Sequence, residues 1–77
     1  MIAMELKVTY DAEVDAAYIY LASIGRGDSV KQVVVDGDYV GQVILDFDRL
    51  DHMIGIEVLD ASKVLPRPIL ASAVPPG

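Results

Sequence analysis

The chain has no cysteine and only one histidine. Without cysteine no disulfide can staple the fold, and cysteine-based structural zinc sites are excluded. Basic residues are few as well: Lys7, Arg26, Lys31, Arg49, Lys63 and Arg67 are scattered, with no basic run. The formal charge is −6. An acidic surface repels phosphate backbones, so direct nucleic-acid binding is not expected. No apolar run approaches the ~20 residues that cross a bilayer, so no membrane partner is expected. The opening "MIAMELKV" lacks a charged leader ahead of an apolar core, and the expected location is cytoplasmic. Serines at 23, 29, 62 and 72 fall in loops or near the chain's end and share a single histidine, which argues against nucleophilic catalysis. "GRGDS" lacks the lysine and the strand-loop-helix setting of a phosphate loop, and its "RGD" reads as a turn.

What the chain does have is apolar content: 53% of its 77 residues are hydrophobic. A single domain of this size buries only roughly 60% of its unfolded surface. Small cysteine-free domains often gain stability by association, so a homodimer or a protein partner is expected.

The periodicity is that of strands. "ELKVTY" (5–10) alternates, with Leu6, Val8 and Tyr10 on one face and Lys7 and Thr9 on the other. "AYIYLAS" (17–23) is β-branched and aromatic; alanine makes a helix over 12–22 the competing reading, but Tyr-Ile-Tyr favours a strand. "SIGRGDS" (23–29) is a loop, and "VKQVVV" (30–35) a third strand. "DGD" (36–38) carries the Asp-Gly signature of a tight turn. "YVGQVILDFD" brings a fourth strand with Val43, Leu45 and Phe47 on one face, "RLDH" turns the chain, and "MIGIEVLD" is a fifth strand. "DASKVL" (60–65) reads as a short helix capped by Asp60 and stopped by Pro66 and Pro68. Close spacing of the strands favours antiparallel hairpins. The expected fold is α+β: a small, mainly antiparallel sheet of four to five strands with a short C-terminal helix. Residues 1–65 form the domain and 66–77 a proline-rich tail. "YDAEVDAAYIYL" and "LDFDRLDHMIGIEVL" faintly echo one another, each running strand, acidic turn, strand.

"KVTYDAEVDAAYIYL" and "VILDFD…MIGIEVLDASKVL" together resemble the two sequence blocks of the bacterial domain-of-unknown-function 2283 family, over roughly residues 5–65. The resemblance implies the hairpin-built fold and no assigned activity, cofactor or catalytic residue. Members of the family resemble components of small bacterial gene pairs, some toxin–antitoxin-like, so an antitoxin-like role is implied. The family's second turn usually carries Asp/Asn-Gly; here Leu50 and Asp51 stand there, which predicts a reshaped or longer turn.

One stretch, "DFDRLDHMIGIEVLD", gathers ligand-type side chains. Asp46, Asp48 and Glu57 fall at positions 1, 3 and 12 of an EF-hand-like count, but Leu50 and Asp51 replace the residues that such a loop needs at 5 and 6. His52 with Asp46, Asp48 and Asp51 offers zinc-type donors at an exposed turn. Glu57 is the best placed carboxylate for acid-base chemistry, its plain alternative being a solvent-facing or cross-strand-paired residue. Asp46, Asp48, His52 and Glu57 are therefore the candidate residues of a small metal-binding or carboxylate-dependent enzyme. The favoured reading is a non-enzymatic interaction module without cofactor or metal. Tyr10, Tyr18, Tyr20 and Tyr39 are its candidate interface, because tyrosine offers both apolar area and a hydroxyl.

Overall fold

A computed structural model describes residues 6–76; Glu5 of the first expected strand, the rest of the opening segment and the final Gly77 lie outside them. Five strands form one sheet: β1 (Lys7–Asp11), β2 (Ala16–Tyr20), β3 (Lys31–Val35), β4 (Gln42–Phe47) and β5 (Met53–Leu59). Two short helices follow, α1 (Ala61–Val64) and α2 (Arg67–Ser72). The strand order is β1-β2-β5-β4-β3, and every neighbouring pair is antiparallel. The fold is thus the α+β arrangement read from the strand periodicity, with one helix more. Neither helix is long and apolar enough to cross a membrane.

Register sorts the side chains into two faces. Tyr10, Ala17, Val58, Val43 and Val35 lie in one row across all five strands. Their face carries the core: Val58 is 1% exposed, and Ala17 and Ala61 are buried beside it. Val64 and Leu65 at the end of α1 and Leu70 of α2 pack against this cluster. The helices therefore cover the β1-β2-β5 part of the sheet. At the far end of the same row, Val35 is exposed. Tyr10 belongs to the core face, opposite Tyr18 and Tyr20, and Tyr39 sits in the β3–β4 loop; the four tyrosines do not line one surface. The alternation of "KVTY" and "AYIY" already separates Tyr10 from the others once the two strands are paired.

Aspartates shape the turns. Asp15, Asp51 and Asp60 all have positive φ, a region that aspartate enters more readily than most non-glycine residues. In the β4–β5 turn, the Asp48 side chain accepts bonds from the amides of Leu50 and His52, each at 2.9 Å, and Asp51 takes φ 62°. The five-residue connection 48–52, with Asp51 left-handed, thus closes without glycine. The β3–β4 connection departs from the expected tight turn: it spans residues 36–41, and the left-handed glycine is Gly41 (φ 94°), not Gly37. Tyr39 braces this loop, its hydroxyl donating to the Val35 carbonyl and accepting from the Val43 amide.

The cap of α1 also differs from expectation. The Asp60 side chain makes no capping bond. Asp15, from the β1–β2 turn, does the work across the fold: its carboxylate accepts the Ser62 amide at 2.9 Å and the Ser62 hydroxyl at 2.7 Å. Its carbonyl accepts the Ala61 amide, and Tyr10 donates to the same carboxylate at 2.7 Å. With Asp60 left-handed and its side chain making no capping bond, the first-turn amides of Ala61 and Ser62 go to Asp15. Pro66 follows Leu65, which is extended as residues before proline tend to be. Pro68 does not stop a helix; it sits in the first turn of α2, where a missing amide hydrogen costs nothing. Beyond α2, Val74 forms a parallel bridge to Thr9, with its amide bonding the Val8 carbonyl and its carbonyl the Tyr10 amide. The proline-rich segment is therefore laid on the outer edge of β1.

Candidate functional site

The face opposite the helices carries the polar chemistry. Lys7, Tyr20, Gly55, Asp46 and Gln32 form one row across it, and Thr9, Tyr18, Glu57, Ile44 and Val34 the next. Gly55 is the gap in this surface. A Cβ there would collide with the Tyr18 ring and hydroxyl, because that ring lies across Gly55 on its way from β2 to β4. Glycine inside a strand often marks such a close approach. The Tyr18 hydroxyl ends on the Asp46 carboxylate in a short hydrogen bond.

Asp46 is only 4% exposed, yet it is fully satisfied. Besides Tyr18 it accepts from the Ser29 hydroxyl and the Gln32 amide, both at 2.9 Å. Burial pushes its carboxyl up, but the bonds from Tyr18, Gln32 and Ser29 together outweigh that and hold it below the usual carboxylate range. Burial and the Asp46 charge push the Tyr18 hydroxyl well above its ordinary value, so it stays a donor. The network ties β2, β4, β3 and the loop before β3 together across β5. Ser29 and Gln32 were not among the residues singled out from sequence; nothing in their local pattern points at an aspartate 14 to 17 residues away. The one available signal was Gly55.

The other candidates are set apart. Asp48 and His52 belong to the β4–β5 turn, with the His52 ring nitrogen 3.5 Å from the Asp48 carboxylate. The amides of His52 and Leu50 lower the Asp48 carboxyl against the opposing effect of burial. Asp51 pairs with Lys31 at 2.7 Å on the exposed surface. Glu57 lies mid-strand on the polar face between Tyr18 and Ile44. So Asp46 and Glu57 share a face, while Asp48 and His52 sit at its end, engaged in closing a turn. Among the described residues, no three of the histidine and acid side chains form a group that could hold a metal.

A run of exposed apolar residues lies elsewhere. All five residues of β3 are exposed, and Val30, Val33, Val34, Val35, Tyr39 and Val40 are exposed large hydrophobics within one segment. Their strand is an edge of the sheet. On its outer side no strand follows among the described residues, whereas the β1 edge is bridged by Val74. Exposed apolar edges are usually blunted, since they template pairing with another chain.

These features define a small α+β domain with one bridged and one open sheet edge. The chain belongs to the family described as protein of unknown function (DUF2283), whose profile matches residues 7–62. That span takes in the whole sheet and the start of α1, and stops short of α2 and Val74. Comparison with curated proteins and with solved structures found no match.

Proposed function

We propose that this protein is a non-enzymatic interaction module that works as a homodimer and engages a protein partner. The observation that carries the reading is β3, an edge strand exposed at every position and bearing three consecutive valines. Soluble monomers rarely leave such apolar edges uncovered. The polar face supports the same reading. Its buried carboxylate, Asp46, has its bonds committed to Tyr18, Ser29 and Gln32, which suits a scaffold better than a reacting group. The antitoxin-like role implied by the family resemblance is one specific form of this function, and the net charge of −6 suits a basic partner.

Light scattering coupled to size-exclusion chromatography at micromolar concentration tests the dimer, and twice the chain mass is expected. A clean monomer overturns it. Capture from a bacterial lysate, repeated at low and high salt, tests the basic partner: a basic protein retained at low salt and released at high salt is expected.

A further inference from the structure

The open edge also specifies how two copies would meet. We infer that β3 pairs antiparallel with the β3 of a second copy, about a two-fold axis through Val34, to give one continuous ten-stranded sheet. The inference rests on the dimeric reading above and names its surface.

Charge selects the direction. The chain is acidic overall, so two copies repel wherever their acids face one another. Residues 29–35 carry no acid and one base, Lys31, while the following turn carries Asp36 and Asp38. An antiparallel pair sets the Lys31 end of each strand beside the partner's Asp36 and Asp38. A parallel pair would set Lys31 against Lys31. The present Lys31–Asp51 pair is exposed on both sides, and pairs of that kind are worth little, so it does not hold Lys31 back.

Side-chain matching selects the register. Strands related by a two-fold axis normal to the sheet keep the same faces, so opposed residues are both even-numbered or both odd-numbered. Centred on Val34, the rungs are Val34 on the partner's Val34, Val33 on the partner's Val35, and Gln32 on the partner's Asp36. Apolar meets apolar, and Asp36 meets a neutral side chain, not another acid. Centred on Val33, the rungs set Gln32 on the partner's Val34 and Lys31 on the partner's Val35, which buries two polar groups against valines. The Val34 register is the better matched of the two. The strand is also presented in a fixed position, because Gln32 and the preceding Ser29 are both bonded to Asp46.

The chain has no cysteine, so single-cysteine variants report the pairing directly. On mild oxidation, Val34→Cys is expected to give a disulfide-linked dimer. Val33→Cys is expected not to, since its equivalents stand two rungs apart. Val34 is 47% exposed, so Val34→Lys is expected to fold as the parent does by circular dichroism. It should weaken dimerisation about 100-fold or more, as like charges facing across an interface do. Should Val34→Lys fail to fold, the cysteine pair still decides the matter. A wild-type dimer in which Val33→Cys crosslinks and Val34→Cys does not, or in which neither crosslinks, overturns this pairing and leaves the dimeric reading standing. A wild-type monomer overturns both.

Discussion

The two ends of the sheet are held in different ways. At the β1 end, helices α1 and α2 cover one face, Val58, Ala17 and Ala61 are buried, and Val74 bridges the outer edge. At the β3 end no such cover exists among the described residues, and the strand is exposed on both faces. What fixes it is its ladder to β4 and a polar network on the opposite face, with Asp46 at its centre. Among the described residues, the two short helices are too little to cover a five-stranded sheet. The apolar core, with the Asp15 cap of α1, serves one end, and hydrogen bonds to a buried carboxylate serve the other. The difference shows how a small domain can leave one edge of its sheet open and still hold that edge in position.

The largest effect should come from removing the centre of the polar end. Asp46→Ala leaves the Tyr18 hydroxyl, the Ser29 hydroxyl and the Gln32 amide without their acceptor. Bonds to charged groups are worth about 1.5–3 kcal/mol each, and water would replace some of them, so a loss of about 3 kcal/mol is expected in urea unfolding. Hydrogen exchange should rise first in β3. Uniform loss across the sheet would show that the two ends are not separately held.

Val58→Ala addresses the covered end. It removes two methyl groups from the largest fully buried side chain of the core cluster, and a cost of about 2 kcal/mol is expected. Exchange should rise in β1, β2 and α1 ahead of β3. The proposed dimer should survive, because the β3 edge is untouched.

Gly55→Ala tests the join between them at about 1–2 kcal/mol, the scale of a modest overpacking penalty. The added methyl displaces the Tyr18 ring and breaks its bond to Asp46. Gly55→Ala combined with Tyr18→Phe should cost little more than Gly55→Ala alone. Full additivity would show that the ring's position over Gly55 does not matter.

Much of this division was legible in the chain. "VTY", "YIY" and "GIEV" alternate with period two, and that fixed the faces of Val8, Ile19, Ile56 and Val58. "KQVVV" read as a strand, but its apolar run did not say that it would be an edge. Strand order depends on which hairpin packs against which, and no local signal carries it. Asp15 was equally hidden as the cap of α1: Asp60 stood in the expected place, and its left-handed backbone handed the role to a residue 47 positions away from Ser62. Of the acid cluster that drew attention, Asp46 proved to be buried structure and Asp48 a turn former. Glu57 kept its place on the open face.

Acid should weaken both ends, more gently. The carboxyls of Asp46, Asp48 and Asp15 are all held below their ordinary values. For Asp15 the hydroxyl of Ser62 is the leading cause, followed by that of Tyr10. A carboxyl with a lowered folded value stabilises the fold in full above its unfolded value, about 3.9, and that contribution is lost as pH falls through the folded value. The melting temperature should therefore stay level from neutral pH to about 5 and fall below about 4. Asp46→Asn keeps the shape of the side chain but cannot be protonated there. It should be less stable than the parent at neutral pH and show a shallower acid slope. Val58→Ala should lower the whole curve and leave the slope alone. If Asp46→Asn keeps the parent's slope, the acid sensitivity belongs to Asp15 and Asp48, and the β3 end is held by something other than an ionised Asp46.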